Sequence, residues 1–263
     1  MRELPAADLH VEVVGQGPPL VLLHGWAMHG GIFAPLVAAL RIHRTLHVVD
    51  LPGHGHSRGS TVPLELEACA RAVASAVPAA PWCGWSLGGL VALHAAAWLP
   101  AHVPALAMLC ATPRFVADGD WSLGMPAKVF TDFADGLRHD WRATIDRFIA
   151  LEAFGSEHMR EELQMLRNAV LARGAPAPAV LSQGLQLLHA SDLREALPAL
   201  RVPSLWLAGR RDRLVDPRAM REAAARAPMA RFAQVEQAGH APFLTHADEV
   251  ARELLAFLEE AGA

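Results

Sequence analysis

Gly84-Trp85-Ser86-Leu87-Gly88 sets a serine between glycines two positions away on either side, directly after an apolar strand-like run and directly before a helix-like one. That context predicts a nucleophile on a sharp strand-to-helix turn, where strained backbone exposes the hydroxyl and small neighbours admit other chain segments. Leu87 N–H would then stand at a helix N-terminus, where an unpaired donor and the helix dipole stabilise an oxyanion. A second donor is expected from the loop after an earlier strand. His24-Gly25-Trp26 follows Leu20-Val-Leu-Leu23 at that place, which gives the role to Trp26 N–H and a supporting role to His24. A serine hydroxyl is a poor nucleophile at neutral pH, so it needs a base and a group that fixes the base's tautomer. Asp212 follows the apolar run Ser204–Ala208 through a short polar turn, and His240 sits in a loop containing Gly239 and Pro242. Both lie just past strand-like segments, where ligands meet an open α/β sheet. The competing acid, Asp216, reads as a helix N-cap before Pro217. His54 and His56 form a His-x-His pair, but Arg58-Gly-Ser60 follows where further metal ligands would be needed, so the segment reads as a turn-rich loop.

The elements that must position these groups are visible as short apolar runs: Leu20–His24, Thr45–Asp50, Trp82–Gly84, Ala105–Cys110 and Ser204–Ala208. Such runs suit strands buried on both faces. Leu64–Val77, Leu87–Leu99, Pro217–Ala227 and Ala247–Glu260 carry apolar residues at helical spacing. Alternating strand and helix predicts an α/β fold with a mostly parallel sheet covered on both sides. Between Thr112 and Leu197 the strand pattern stops and amphipathic helix follows, punctuated by Pro113, Pro126, Gly155, Gly174, Pro176 and Pro178. The alternation resumes at Pro203. A core of residues 1–111 and 198–263 with a helical lid insertion at 112–197 is therefore expected.

A chain of 263 residues with 52% hydrophobic and 19% charged content can bury a full core, which excludes disorder and collagen-like repeats. The net charge of −4 supplies no general attraction to phosphate backbones, so nucleic acid is not an expected partner. Cys69, Cys83 and Cys110 stand far apart in apolar stretches, which fits core packing in a reducing compartment. The first eight residues lack an apolar signal region, and no long uncharged apolar run occurs. A cytoplasmic monomer without membrane contact is expected.

Together these residues resemble the α/β-hydrolase superfamily over the whole chain. More closely, Leu20-Val-Leu-Leu-His-Gly-Trp26, Thr45-Leu-His-Val-Val-Asp-Leu-Pro-Gly53, Gly84-Trp-Ser-Leu-Gly-Gly-Leu-Val91, Arg147-Phe-Ile-Ala-Leu151 and Ala238-Gly-His-Ala-Pro-Phe243 are similar to the pimeloyl-acyl-carrier-protein methyl ester esterases of biotin synthesis. The resemblance implies an α/β-hydrolase fold and hydrolysis of a methyl ester on a pimeloyl chain carried by acyl carrier protein, releasing methanol without cofactor or metal. It implies Ser86, Asp212 and His240 as catalytic residues, Trp26 and Leu87 as oxyanion donors, and Phe148, Ile149, Ala150, Leu151 and Glu152 along the acyl path. Glu152 stands where members of the family often have glutamine; an anion there would either hasten release of a carboxylate or face solvent. An acidic carrier would dock on Arg142, Arg147, Arg160 and Arg167. Arg138 to Arg173 holds six arginines and six acids, so a cationic patch requires the two signs to segregate by face. The apolar insertion residues Phe130, Phe133, Trp141, Phe148, Leu151 and Phe154 are expected mainly as the insertion's own core. A short-chain carboxylesterase without a carrier, an acyltransferase, and a ligand-binding receptor on the same fold remain open alternatives.

Overall fold

The computed structural model describes residues 9–263, so the reading of the first eight residues falls outside the described residues. Seven strands form one sheet in the order β1-β3-β2-β4-β5-β6-β7. In chain order these are β1 (Val11–Gly15), β2 (Pro19–Leu23), β3 (Thr45–Val49), β4 (Trp82–Trp85), β5 (Leu106–Leu109), β6 (Ser204–Gly209) and β7 (Ala230–Val235). Every pairing is parallel except β1 with β3, where Val11 faces Val49 in antiparallel register. The inner strands β4, β5 and β6 are buried along their whole length, as uniformly apolar sequences require when helices cover both faces.

The helices of the core are α1 (Ala34–Leu40), α2 (Leu66–Ala76) and α3 (Leu87–Trp98); after the insertion come α8 (Pro217–Arg226), α9 (Pro242–Thr245) and α10 (Ala247–Glu260). α3 is apolar on nearly all sides because it packs on β2, β4 and β5 and is covered in turn by α2. The expected strands and helices of the core are all present, within about two residues at their ends. Four elements carried no clear sequence signal, one of them the four-residue α9. β1 and β7 are edge strands whose residues are largely half-buried or exposed, so neither reads as an apolar run. α1 is only seven residues long, too short for a periodic signal.

Between β5 and β6 the chain adds no strand to the sheet and instead forms α4 (Ala127–His139), α5 (Trp141–Ala153), α6 (Met159–Ala172) and α7 (Pro178–Ala190). Side chains and carbonyls tie this insertion to the core at separate points. Arg173 bonds both oxygens of buried Asp50 at 3.1 Å and Glu12 at 2.8 Å. His29 Nε2 meets the Ala169 carbonyl at 2.7 Å, and Trp26 Nε1–H donates to the Leu181 carbonyl at 2.9 Å.

Candidate active site

Ser86 joins β4 to α3 with φ 54° and ψ −117°, a strained backbone for a residue with a side chain. The turn works only because its neighbours have no Cβ. A Cβ on Gly84 would stand 2.6 Å from Gly89 Cα, and one on Gly88 would stand 2.6 Å from the His24 carbonyl oxygen. Ala27 and Cys110 also have positive φ, at 63° and 44°. All three strained non-glycine residues thus lie just beyond strands β2, β4 and β5, at the end of the sheet that carries the predicted chemistry.

The structure brings His240 to Asp212. His240 Nδ1–H donates to Asp212 Oδ2 at 2.8 Å, with both side chains excluded from solvent. Asp212 Oδ1 accepts from Leu214 N–H at 2.8 Å and Val215 N–H at 3.0 Å, so the carboxylate is oriented from both sides. His240 Nε2 has no hydrogen-bond partner among the described residues. With the proton placed on Nδ1, Nε2 presents a lone pair, which is the tautomer a general base needs. The two loops are joined by backbone: Arg211 N–H donates to the Ala238 carbonyl at 3.0 Å, and Gly209 lies directly against the Gly239 carbonyl. Trp85 Nε1–H donates to the His240 carbonyl at 2.8 Å, linking the histidine loop to the residue before Ser86. Asp216 caps α8 through Arg218 N–H at 2.8 Å and takes no part in this pair.

Leu87 is the first residue of α3, and Trp26 lies in the turn after β2. Neither N–H joins the hydrogen bonds of the surrounding turns among the described residues, which leaves both free as donors. His24 is buried in a supporting position, accepting from Leu51 N–H at Nε2 (2.9 Å) while Nδ1–H meets the Gly25 carbonyl at 2.8 Å. Burial first, and neighbouring His54 next, lower its pKa to about 3, so it stays neutral. His54 is buried with Nδ1 on the Pro52 carbonyl at 2.9 Å, and no cluster of three metal-ligating side chains occurs among the described residues.

A cavity of about 20 Å³ abuts Ser86. Its walls are apolar: Phe130, Phe133 and Phe148 from α4 and α5, Leu185 and Leu188 from α7, and Leu214 two residues beyond Asp212. Trp26 packs edge-on against Phe148, ring centroids 4.6 Å apart. Of the predicted acyl-path segment, only Phe148 is among the residues that line this cavity. Ile149 is buried away from it, Leu151 is half-buried, and Ala150 is exposed, because successive helical residues point in different directions. Phe154 is likewise 54% exposed, outside the core expected for it. A larger polar concavity on the outer side of the Asp212 loop, about 600 Å³, is lined by Arg210, Arg211, Arg213, Arg218 and Arg221 and does not include Ser86.

Glu152 does not face solvent: it is fully buried, and neither carboxyl oxygen has a partner among the described residues. Burial, and then the nearby Asp212 charge, push its pKa well above the ordinary glutamate value, which favours the protonated form. Its backbone carbonyl accepts from His240 N–H at 3.4 Å, and Glu157 N–H donates to the Gln237 carbonyl at 3.1 Å. The turn after α5 therefore grips the histidine loop. Buried Glu162 adds a second hold, accepting at Oε1 from Ser156 Oγ and Thr245 Oγ, both at 2.7 Å. Nothing in the local pattern distinguishes Glu162 from a solvated helix charge; only its place four residues before the apolar Leu166 hinted at an inward face.

The predicted docking arginines are exposed on α5 and α6. Arg142 stacks over Trp141 at 4.8 Å, Arg147 donates to Thr144 Oγ at 3.2 Å, and Arg167 pairs with Asp146 at 3.1 Å. No ion pair is formed by Arg142, Arg147 or Arg160 among the described residues, so three of the four guanidinium charges are uncompensated by direct contact.

The sequence profile of the alpha/beta hydrolase fold family matches residues 18–247. Proteins named pimeloyl-[acyl-carrier protein] methyl ester esterase are 56% identical over 250 residues: one from Xanthomonas campestris pv. campestris, covering 95% of this chain and 98% of that protein, and one from Stenotrophomonas maltophilia, covering 95% and 96%. Among solved structures, an esterase from Exiguobacterium antarcticum superposes with a TM-score of 0.86 at 22% identity over 96% of both chains. The enol-lactonase from Burkholderia xenovorans reaches 0.83 at 23% identity over 97% of this chain and 98% of its own. No helix among the described residues is long and apolar enough to cross a membrane. Fold, strained serine turn and whole-length sequence likeness agree: this chain belongs to the alpha/beta hydrolase fold family.

Proposed function

We propose that the chain is a serine carboxylesterase that cleaves the methyl ester of a pimeloyl group carried by acyl carrier protein, giving methanol and the free acid. What carries the reaction class is His240 Nε2, buried and without a partner among the described residues, on an imidazole oriented by Asp212, with strained Ser86 at the strand end whose Trp85 bonds the His240 carbonyl. The substrate class is supported by relatives 56% identical over 95% of the chain whose names specify that ester.

In this reading His240 Nε2 takes the Ser86 proton as Oγ attacks the ester carbonyl. Trp26 and Leu87 N–H groups hold the tetrahedral oxyanion, and Asp212 stabilises the imidazolium. The imidazolium gives its proton to the departing methoxide. Water activated by the same histidine then attacks the acyl-enzyme, and collapse of the second tetrahedral species returns the proton to Ser86 and frees the carboxylate. Residues 112–197 act as a lid over the core of 1–111 and 198–263, with Phe148 against the acyl chain. Arg142, Arg147 and Arg160 attract an acidic carrier; a carrier-bound substrate would itself require the cytoplasm, and the enzyme is read as a monomer.

The test compares wild type and Ser86→Ala on the carrier-bound methyl ester and on a short free ester, following both hydrolyses by mass spectrometry. Preference for the carrier-bound ester, lost in the variant, is expected. Cleavage of the free ester alone would leave the triad standing and remove the carrier.

A further inference from the structure

Residues 210–221 carry five arginines and two aspartates in a chain whose net charge is −4, so the local sign runs against the whole. All five, Arg210, Arg211, Arg213, Arg218 and Arg221, line one open concavity of about 600 Å³ formed by the loop after β6, the first turns of α8 and β7. The acids around it are already committed. Asp212 gives Oδ2 to His240 and Oδ1 to the Leu214 and Val215 N–H groups, so it adds no free carboxylate. Asp216 caps α8 and holds Arg218 at 2.6 Å, Glu236 holds Arg210 at 2.6 Å, and Glu222 pairs with Arg226. Arg211, Arg213 and Arg221 are exposed and form no ion pair among the described residues. Arg221 instead lies over the Phe232 ring at 4.3 Å, which steadies that guanidinium without using its N–H donors.

We infer that this concavity is a binding site for a small phosphate-bearing polyanion, a di- or triphosphate. The inference stands apart from the ester hydrolysis proposed above and goes beyond it. Charge chooses the ligand first: three uncompensated guanidiniums call for two or more anionic groups close together, whereas a lone carboxylate would answer only one of them. Guanidinium forks match phosphate oxygens bidentately. A single exposed ion pair is worth little in water, but charges converging on one concave space raise its potential together. Size chooses next. The volume falls in the range of small-molecule sites, roughly 300–1,000 Å³, while a docking protein needs a broad face in place of a pocket. The position is also informative. Arg211 and Arg213 stand on either side of Asp212 in the chain, Arg221 belongs to α8, and Arg211 N–H is bonded to the Ala238 carbonyl. An anion held by all three bridges the loop that orients His240 to the helix behind it.

The experiment follows thermal unfolding and isothermal titration of the full chain with sodium triphosphate, with ADP, and with adenosine as the uncharged control. At about 5 mM and low salt, triphosphate and ADP should each raise the melting temperature by roughly 2 °C or more, less at high salt, and adenosine should not move it. Tighter binding of ADP than of triphosphate assigns the site to a nucleotide-like molecule; equal or weaker binding assigns it to the phosphate chain alone. Arg213→Gln should weaken triphosphate roughly three- to fivefold, and Arg213→Gln with Arg221→Gln roughly tenfold or more, with the melting temperature in the absence of anion close to wild type. Should the double variant fail to fold, the single one decides. Arg142→Gln with Arg160→Gln, on the insertion, should bind as wild type does. Failure of both anions to bind wild type overturns the inference, as does undiminished binding by the Arg213 variants or a loss confined to the insertion variant.

Discussion

The loops at the sheet ends and the helical insertion above them hold their residues by different means. Around Ser86 the constraint is backbone: glycines at 84 and 88 are pressed against other main chain, strain sits on Ser86 itself, and Asp212 is fixed by two peptide N–H groups and one imidazole. The insertion is held mainly by side chains, with backbone bonds to the histidine loop only at the turn after α5. Arg173 grips Asp50, Trp26 reaches the Leu181 carbonyl, and Glu162 bridges Ser156 to Thr245, while Glu152 is buried with no partner for its carboxyl among the described residues. Backbone constraint has no alternative arrangement nearby, so it preorganises a reacting group. Side-chain tethers can be exchanged for others, which suits a cover that must open to admit an acyl chain.

The sharpest way to break this contrast is at the nucleophile. Ser86→Ala should lower ester turnover on the order of 10⁶-fold, with the melting temperature within a degree or two of wild type. Substantial residual hydrolysis would move the nucleophile elsewhere. Asp212→Asn keeps the two peptide N–H bonds possible but disrupts the tautomer, and a loss of about 10⁴-fold in kcat is expected. A loss of less than about tenfold would show that the histidine is oriented by something else, with the Glu152 carbonyl on His240 N–H as the next suspect.

Gly88→Ala probes the backbone side of the comparison directly. Its methyl would meet the Leu23 and His24 carbonyls, so destabilisation of about 3 kcal/mol or more in urea unfolding is expected, although no catalytic atom is removed. A mild effect would mean that the turn can relax.

Glu152 probes the insertion. Its ordinary value is near 4.5 and the folded state raises it, so the folded chain keeps a proton that the unfolded chain surrenders. Stability is therefore greatest below the ordinary value and falls as pH rises through the window up to the raised one. Glu152→Gln removes that fall, so its melting temperature should exceed wild type by a few degrees near neutral pH and match it in acid. Equal pH profiles would place the carboxyl in contact with water. The smallest effect belongs to the exposed charges: Arg147→Glu with Arg160→Glu should cut kcat/KM on the carrier-bound ester roughly three- to tenfold, less at high salt, and leave p-nitrophenyl acetate untouched.

The sequence by itself determined the sheet's inner strands and the position of the serine turn. Both are written in short-range terms: apolar runs such as Leu20–Leu23 and Leu106–Leu109 admit little besides buried strand, and Gly84-x-Ser86-x-Gly88 reflects sterics within a few residues. Asp212 and His240 were legible as well, because each follows a strand-like segment or precedes a helix with clear start signals. The insertion was legible only as helix. Which face of α5 turns inward is set by packing against Trp26 and the histidine loop, contacts distant in sequence, so it took the structure to show that Phe148 lines the cavity, that Ala150 and Phe154 are exposed and that Glu152 is buried. The edge strands β1 and β7 and the burial of Glu162 were likewise decided by tertiary structure alone. Their residues are chemically ordinary, and what they do depends on which long-range neighbours remove their water.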